Sequence, residues 1–323
     1  MNLLKATNEN ISRAADVIKN GGLVAFPTET VYGLGANGLD PVATAKIFEA
    51  KNRPSFNPLI LHIPSYNYIE EICDINLSKI ENVVTKFWPG PLTLVLPKRD
   101  IVPDIITAGH PTVAVRIPRH PVAKELIEKA ETPVAAPSAN AFSQLSPTEA
   151  IHVVNQLGDK VDMILDGGSC KVGVESTIIQ IQDDEYTLLR PGGLPVEDIE
   201  ELVGKKLNRE IPINETPNSP GQLPFHYSPK IPLKIIGRFD EEILKDKKVG
   251  ALFFKSKVLD HKFADTRFLS ENGNLAEAAA NLFAFLHDME KEDLDLIIAE
   301  PFKEEGLGRA IMDRLNKAAK RFE

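Results

Sequence analysis

Cysteine is scarce in this chain of 323 residues, and its scarcity excludes two kinds of scaffold. The two cysteines, Cys73 and Cys170, lie far apart in the sequence and do not form a Cys-x-x-Cys pair. This argues against a disulfide framework and against a structural zinc site. The cysteine usage is typical of a reducing compartment, so we expect a cytoplasmic protein.

Long apolar runs are also missing. No stretch approaches the roughly 20 apolar residues that a helix needs to cross a bilayer. The first residues, MNLLK, are not followed by the apolar core of a signal peptide. We therefore expect an unexported protein with no membrane partner.

Positive charge does not dominate the chain. Lysine and arginine total 37 against 46 acidic residues, which gives a formal net charge of −9. This balance argues against a protein that binds nucleic acid through its overall charge. Any anion site must therefore be a local basic pocket.

Several catalytic motifs are absent from the sequence. We find no Walker loop, no Gly-x-Gly-x-x-Gly, no cysteine or serine nucleophile beside a base, and no cluster of metal ligands. These absences argue against covalent catalysis and against protein-bound metal chemistry. Positioning and charge stabilisation remain as the means of catalysis.

The most informative stretch runs from residue 21 to residue 63. It predicts a buried strand at 23–26, a polar turn that begins with Thr28, Glu29 and Thr30, and a helix from Asp40 to about residue 50. Glycines in the turn would let backbone approach a ligand closely. A proline-rich loop then returns the chain to a second strand at 59–63.

Two cations, Lys51 and Arg53, lie where this helix meets the loop. Cations at the C-terminus of a helix are favoured by the helix dipole, so their spacing alone leaves a purely structural explanation open. A basic loop that faces a ligand is the alternative explanation.

Further polar side chains occur at predicted strand ends. Thr112 and Arg116 fall on one face of a strand at 112–118, which could also be an ordinary solvated face. Small residues at 134–140 bring Ser138 and Asn140 to a strand end, where both can bond phosphate oxygens. Ser146 is available in the same way, although it or Thr148 can instead cap the next helix.

Ser176 and Arg190 complete this polar set. Ser176 lies near the start of a strand at 174–181, and Arg190 precedes a Pro-Gly-Gly turn, where an exposed arginine would also be ordinary. Together with Lys51, Arg53 and Arg116, Arg190 makes four cations in an acidic chain. They predict a site for a concentrated anion such as a nucleoside triphosphate.

Two separate motifs resemble the YrdC-like family of threonylcarbamoyl-AMP synthases. The first is Lys-x-Arg at residues 51–53, and the second is Ser-x-Asn at residues 138–140. The string PTETVYGLG at 27–35 is also typical of the family. Pro220-Gly221 and the sequence HYSP at 226–229 resemble the linker of its long, two-domain form.

The alternation of elements and this resemblance predict an α/β fold in three parts. Residues 1–205 would form a YrdC-like domain with a mixed, twisted sheet and helices. Residues 206–232 would form a linker that can cover the pocket as a lid. Residues 233–323 would form a smaller, Rossmann-like α/β domain. Its glycine turn at 306–308 could hold a phosphate, but two glycines favour an ordinary helix start.

The resemblance implies a reaction of L-threonine, bicarbonate or carbon dioxide, and ATP. Its products are threonylcarbamoyl-AMP and pyrophosphate, with Mg²⁺ carried by ATP and no metal bound by protein ligands. The family passes its product to a separate complex that modifies adenosine in tRNA. Whether the chain itself contacts tRNA is left open by the resemblance.

The resemblance also implies roles for individual residues. Lys51 and Arg53 would be catalytic, and both would contact ATP. The remaining ATP ligands would be Asn57, Thr112, Ser138, Asn140, Ser146, Arg190 and Tyr227. L-threonine would be held by Thr30, His62, Arg116, Ser138 and Ser176, with Arg116 on its carboxylate.

Two other functions remain alternatives. Carbamoyl-transfer proteins that form carbamoyl-adenylate share this fold, but they carry zinc-finger cysteines that this chain lacks. A module that binds RNA on a concave basic surface is the second alternative. The net charge of −9 and the lack of interleaved aromatic and basic residues argue against it.

Overall fold

The computed structural model describes residues 2–209, 219–221 and 226–322, and these form two β-sheets with helices around them. The strands of the larger sheet are β1 (Leu3–Lys5), β2 (Val24–Phe26), β3 (Gly33–Asn37), β4 (Ile60–His62), β5 (Leu92–Pro97), β6 (Thr112–Arg116), β7 (Val134–Ala135), β8 (Met163–Asp166), β9 (Thr177–Gln182) and β10 (Glu185–Arg190). Its helices are α1 (Asn8–Lys19), α2 (Pro41–Lys51), α3 (Ile69–Ile72), α4 (Glu81–Phe87), α5 (Asp104–Thr107), α6 (Pro121–Ala130), α7 (Ala150–Gln156) and α8 (Val196–Val203).

The larger sheet is mixed, as the sequence predicts. Its strand order is β1-β8-β2-β3-β7-β4-β6-β5-β9-β10, with parallel and antiparallel pairs. Side chains alternate between the two faces of β2. Val24 and Phe26 pack with α1 and α6, whereas Ala25 packs in the core that includes α2 and α4.

The smaller sheet contains four parallel strands in the order β11-β14-β12-β13. Its elements are β11 (Leu233–Ile235), β12 (Val249–Phe253), β13 (Asp265–Phe268), α9 (Leu275–Met289), β14 (Leu296–Ala299) and α10 (Leu307–Lys320). Short 3-10 turns occupy Tyr66–Tyr68, Leu77–Lys79, Gly158–Lys160 and Glu241–Leu244. This parallel α/β unit agrees with the predicted second domain. The boundaries at 205 and 233 stay a prediction.

Helix α2 shows why the local sequence positions the site. Asp40 accepts hydrogen bonds from the backbone N–H groups of Val42 and Ala43, and Pro41 begins the helix. Asn52 ends it in the left-handed conformation, with φ of 50°. The chain therefore turns sharply between Lys51 and Arg53.

Three details differ from the sequence-based expectations. Residues 33–37 form β3 and not a turn, although Gly33 does line the pocket described below. A Cβ atom at Gly35 would lie only 2.8 Å from the Phe26 ring, so glycine allows this close packing. Strand β13 was not predicted, because its sequence DTRF has no apolar run. Neither Ser146 nor Thr148 caps α7, whose N-cap is Glu149.

Within the described ranges, none of the helices combines the length and the apolar character needed to span a bilayer.

Candidate active site

A pocket forms where the turn after β2, strands β4 and β6, the turn after β7 and part of the linker meet. Its cavity volume is about 40 Å³. The residues that line it are Thr28, Thr30, Val31, Gly33, Arg53, Ile60, His62, Arg116, Ala136, Pro137, Ser138, Glu175, Ser176, Arg190, Pro220, Gly221, His226 and Tyr227. The structure thus brings together Thr30, Arg53, His62, Arg116, Ser138, Ser176, Arg190 and Tyr227 of the predicted set.

Arg116 is held on one side of the pocket by three partners. Its Nη2 donates to Glu29 Oε1 at 2.7 Å, its Nη1 to Thr30 Oγ1 at 3.0 Å, and its Nε to the Gly90 carbonyl at 3.1 Å. Burial would raise the pKa of Glu29, but the Arg116 charge and the hydrogen bonds that the carboxylate accepts together lower it. The pair therefore stays ionised, and Arg116 is fixed in place.

His62 is a neutral imidazole beside Arg116. The two residues are register partners in β4 and β6, so their side chains lie on the same face of the sheet. Burial, assisted by the Arg116 charge, lowers the pKa of His62 to about 3. Its Nδ1 is buried without a hydrogen-bond partner in the described part of the chain. It can donate to or accept from a ligand, but it carries no charge at neutral pH.

Arg53 and Arg190 are buried cations without a carboxylate partner. Arg53 donates to the carbonyls of Asn57 and Pro58, and Arg190 donates to the Ser176 carbonyl and hydroxyl and to the Pro220 carbonyl. Burial lowers the pKa of Arg53 only to about 9, so its charge persists at pH 7. Among the residues described, neither arginine forms an ion pair. A buried charge is costly unless it is paired, so this arrangement favours an anionic ligand.

The Lys-x-Arg and Ser-x-Asn motifs meet in the structure. The Lys51 ammonium donates to the carbonyl of Ser138 at 2.5 Å and also to the carbonyl of Asn140. Lys51 is buried and is not among the lining residues. The lysine therefore holds the 138–140 turn from the side away from the cavity. The family resemblance implied a direct contact between Lys51 and ATP instead.

Three more predicted ligands lie behind the pocket wall. Both polar side-chain atoms of Asn57 and Oδ1 of Asn140 are buried without hydrogen-bond partners in the part of the chain that is described. Ser146 is buried, and its hydroxyl donates to Glu175 Oε1. None of the three lines the cavity. The Asn57 amide and Oδ1 of Asn140 are groups that a ligand could satisfy.

Thr112 is not brought to the pocket. It begins β6, four residues before Arg116, and lines a separate surface depression with Asp74 and Gln180. A strand advances about 3.3 Å per residue, so the hydroxyl lies more than 10 Å from the Arg116 position. The shared strand face was predicted correctly, and the contact of Thr112 with ATP stays a prediction.

Part of the predicted lid lies over the pocket. His226 and Tyr227 are buried, and the Tyr227 ring lies 4.8 Å from the Arg314 guanidinium. Burial raises the pKa of Tyr227 to about 12, so the phenol stays protonated. Residues 210–218 and 222–225 of the linker lie outside the described residues.

Sequence reasoning missed two residues of this site, Glu175 and Arg314. Arg314 Nε donates to Glu175 Oε2 at 2.7 Å, and both side chains are almost fully buried. A local signal for Arg314 exists in the sequence, because it falls on the apolar face of α10 with Ile311 and Leu315. A buried arginine normally has a partner.

No group of histidine, cysteine, aspartate and glutamate side chains that could hold a metal ion occurs in the described parts of the molecule.

Family comparisons cover nearly the whole chain. The family profile for the Sua5, YciO and YrdC proteins, described as "Telomere recombination", matches residues 16–192. A second profile, described as "Threonylcarbamoyl-AMP synthase, C-terminal domain", matches residues 194–320.

Individual relatives agree with both profiles. The threonylcarbamoyl-AMP synthase of Pyrococcus abyssi is 45% identical, over 95% of this chain and 93% of the relative. That of Bacillus subtilis is 41% identical, over 98% of this chain and 94% of the relative. The crystal structure of P. abyssi Sua5 complexed with L-threonine has a TM-score of 0.88 and 41% identity, and covers 98% of this chain and 96% of its own. The chain belongs to the family of two-domain threonylcarbamoyl-AMP synthases.

Proposed function

We propose that this protein is an L-threonylcarbamoyladenylate synthase. It condenses L-threonine, bicarbonate or carbon dioxide, and ATP, and it releases threonylcarbamoyl-AMP and pyrophosphate. The observation that carries the proposal is the pair of buried, unpaired cations, Arg53 and Arg190, in the same cavity as Arg116. The names of the full-length relatives support the same activity.

L-threonine binds at the Arg116 side of this cavity. The threonine carboxylate accepts from N–H donors of Arg116 that its protein partners leave free, since a guanidinium has five. Thr30, Ser138, Ser176 and neutral His62 supply donors and acceptors for the amine and hydroxyl of the substrate. A relative from P. abyssi has a crystal structure in complex with L-threonine, which supports threonine as a ligand.

The ATP triphosphate binds at the Arg53 and Arg190 side. Two guanidinium groups that are already buried do not need to lose water when the anion arrives, so their charges act strongly on it. The turn at 138–140, held by Lys51, contributes hydroxyl and amide groups. Asn57, Asn140 and Ser146 act from just behind the cavity wall, and the contact of Thr112 with ATP stays a prediction.

The chemical step is displacement at the α-phosphorus. The threonine amine first bonds to the carbon of carbon dioxide and loses a proton to solvent, or displaces water from bicarbonate, which gives N-carboxythreonine. An oxygen of its carbamate group then forms a bond to the α-phosphorus, and the bond from that phosphorus to pyrophosphate breaks. Arg53 and Arg190 stabilise the charge that develops on the leaving pyrophosphate. Mg²⁺ carried by ATP would add further charge neutralisation when it is bound.

The cavity must enlarge for the substrates to enter. A volume of about 40 Å³ has room for only a few water molecules. Tyr227 and Gly221 close one side of it, so this segment of the linker moves outward when ATP binds beside threonine. Its return excludes water from the labile carbamate.

The product leaves for a separate complex that transfers the threonylcarbamoyl group to tRNA. We assign the chain to the cytoplasm, where that step takes place. The net charge of −9 argues against a direct role in holding tRNA.

Pyrophosphate release tests this proposal. The purified protein should release pyrophosphate from ATP only when L-threonine and bicarbonate are both present. Release that depends on carbamoyl phosphate would favour the carbamoyl-adenylate alternative. Salt-sensitive RNA binding without any turnover would favour the RNA-binding alternative, and either result would overturn the synthase assignment.

A further inference from the structure

The last helix of the chain places a cation on its buried face. Arg314 in α10 is 1% exposed and lies among apolar residues of the second domain. One of its partners lies outside that domain: Nε donates to Oε2 of Glu175, which lines the pocket of the first domain. The second domain therefore extends one guanidinium to the wall of the candidate active site.

Glu175 connects Arg314 with a predicted nucleotide ligand. Its Oε1 accepts the hydrogen bond from Ser146, while its Oε2 accepts from Arg314. Burial would raise the pKa of Glu175, but the charges of Arg314 and Arg190 lower it instead. An ionised carboxylate accepts at both oxygens, so the Ser146 hydroxyl and the Arg314 guanidinium fix each other through it.

Arg314 also contacts the residue that follows Arg190 and the ring of Tyr227. Its Nη1 donates to the carbonyl of Pro191, directly after Arg190, at 3.0 Å. Its guanidinium lies over the ring of Tyr227, 4.8 Å from the centroid. This distance is within the range of a cation–π interaction.

The residues beside Arg314 extend these contacts to the linker. Asp313 accepts from Arg314 Nη1 at 2.6 Å and from Lys317 Nζ at 2.9 Å. Lys317 also donates to the carbonyl of Gly221 at 2.7 Å. One turn of α10 therefore contacts both the Glu175 side and the linker side of the pocket.

We propose that Arg314 is a positioning residue for the nucleotide end of this pocket. It orients Glu175, and through Glu175 it orients Ser146. It also holds the backbone after Arg190 and the ring of Tyr227 in position. This inference rests on the proposed function and adds to it a reason why the active site needs the second domain. Arg314 itself is not assigned a contact with substrate.

A purely structural role, in which Arg314 only joins the two domains, is the competing explanation. The chain offers a matched control on the same helix. Arg309 Nη2 donates to Glu197 Oε1 of α8 at 2.8 Å, and neither residue lines the pocket. Arg309→Gln removes an ion pair between the same two domains and leaves the pocket wall unchanged.

The test compares Arg314→Gln, Arg314→Lys and Arg309→Gln with the wild-type protein. Calorimetry measures binding of the ATP analogue AMPPNP in the presence of L-threonine, and pyrophosphate release gives the KM for ATP. Thermal melting reports stability in parallel. For Arg314→Gln we expect a loss of AMPPNP affinity and a rise in the KM for ATP, each of about tenfold or more.

Lysine keeps the charge but lacks the planar guanidinium whose Nε and Nη1 reach Glu175, Pro191 and Asp313, so Arg314→Lys should recover only part of the affinity. Arg309→Gln should lower the melting temperature and keep wild-type affinity. Wild-type affinity in Arg314→Gln, or an equal loss in Arg309→Gln, would overturn the inference. If Arg314→Gln does not fold, wild-type affinity in Arg314→Lys would overturn it.

These outcomes separate the inference from the proposed function. A wild-type protein that binds AMPPNP but releases no pyrophosphate with threonine and bicarbonate would refute the synthase reaction, whereas an affinity loss in Arg314→Gln would still support positioning. Turnover by the wild type with an unaffected Arg314→Gln would refute positioning alone. Absence of AMPPNP binding to the wild type would refute both.

Discussion

Lys51 acts on the site through two backbone carbonyls. Its ammonium is completely surrounded by protein, and burial together with the nearby Arg53 charge lowers its pKa well below the usual value. Both of its hydrogen bonds go to the turn that carries Ser138 and Asn140. The family motif thus joins two segments that are 87 residues apart into one wall.

We predict that Lys51→Ala lowers kcat/KM for pyrophosphate formation by about 10²-fold and leaves the fold intact. Without the ammonium, the carbonyls of the 138–140 turn lose their donor, so the turn no longer holds its hydroxyl and amide in place. Steady-state kinetics and far-UV circular dichroism check both parts.

Lys46→Ala is the matched control for this variant. Lys46 lies on the same helix and donates to the carbonyl of Gly21 at 2.6 Å, away from the pocket. It should keep normal activity. Full activity in Lys51→Ala would contradict the role of the lysine.

At the residue scale, the sequence predicts which side chains line the pocket better than it predicts what those side chains contact. Arg53, Arg116 and Arg190 were predicted from polar positions at strand and helix ends, and all three line the pocket. Thr112 does not line this cavity, because residues on the same strand face can lie at opposite ends of that strand. Arg314 was missed because its partner is 139 residues away and is reached only after the domains dock.

Among the elements, the loop between β8 and β9 packs closely against α9 of the second domain. Gly173 has φ of +76°, and a Cβ atom there would lie 2.4 Å from the Ala279 carbonyl oxygen in α9. Only glycine allows the loop and the helix to approach this closely. The same loop leads into Glu175 and Ser176.

We predict that Gly173→Ala destabilises the protein by about 2 kcal/mol more than Gly168→Ala does. Gly168 has a similar φ of +85°, but a Cβ atom there would meet nothing within 4 Å. Both variants share the backbone strain, so the difference isolates the clash with α9. Urea unfolding measures both free energies, and equal losses would contradict this account of the interface.

The sequence predicts elements well where local chemistry defines their ends. Helix α2 was predicted from Asp40 and Pro41. Asp40 is its N-cap and Pro41 is its first residue, as expected. Strand β3 was not predicted, because two glycines in five residues usually indicate a turn. The ring of Phe26 fills the space over those glycines, and only the tertiary structure shows that contact.

Across the whole molecule, buried histidines link stability to pH. His152 of α7 and His287 of α9 stack across the two domains, with ring centroids 3.9 Å apart. Burial lowers the pKa of His287 to about 3, as it does for His62. In the unfolded chain a histidine binds a proton near pH 6.5. The unfolded state therefore gains protons first as the pH falls, and stability decreases from about pH 6.5 towards pH 3.

We predict that His287→Gln reduces this pH dependence. Between pH 7 and pH 5 the variant should lose about 2 kcal/mol less unfolding free energy than the wild type, because one depressed histidine is removed. Urea unfolding at both pH values measures the effect. At pH 8 the difference in unfolding free energy between the two proteins reports the change in packing alone. If the unfolding free energies of both proteins fell equally with pH below 6.5, the proposed link between His287 and pH-dependent stability would be refuted.

The two domains share one active site in this account. The first domain supplies the cations that bind substrates, and α10 of the second supports the wall that contains Glu175. The mixed character of the first sheet and the α/β class of the second domain could be predicted from the order of strands and helices. Their contact at Glu175 and Tyr227 could not, because domain docking leaves no periodic pattern in the sequence.

A crystal structure with AMPPNP and L-threonine bound tests the central claim most directly. We predict triphosphate oxygens within hydrogen-bonding distance of Arg53 and Arg190, and the threonine carboxylate at Arg116. A nucleotide bound elsewhere, for example at the glycine turn 306–308, with Arg53 and Arg190 contacting no anion, would contradict the account.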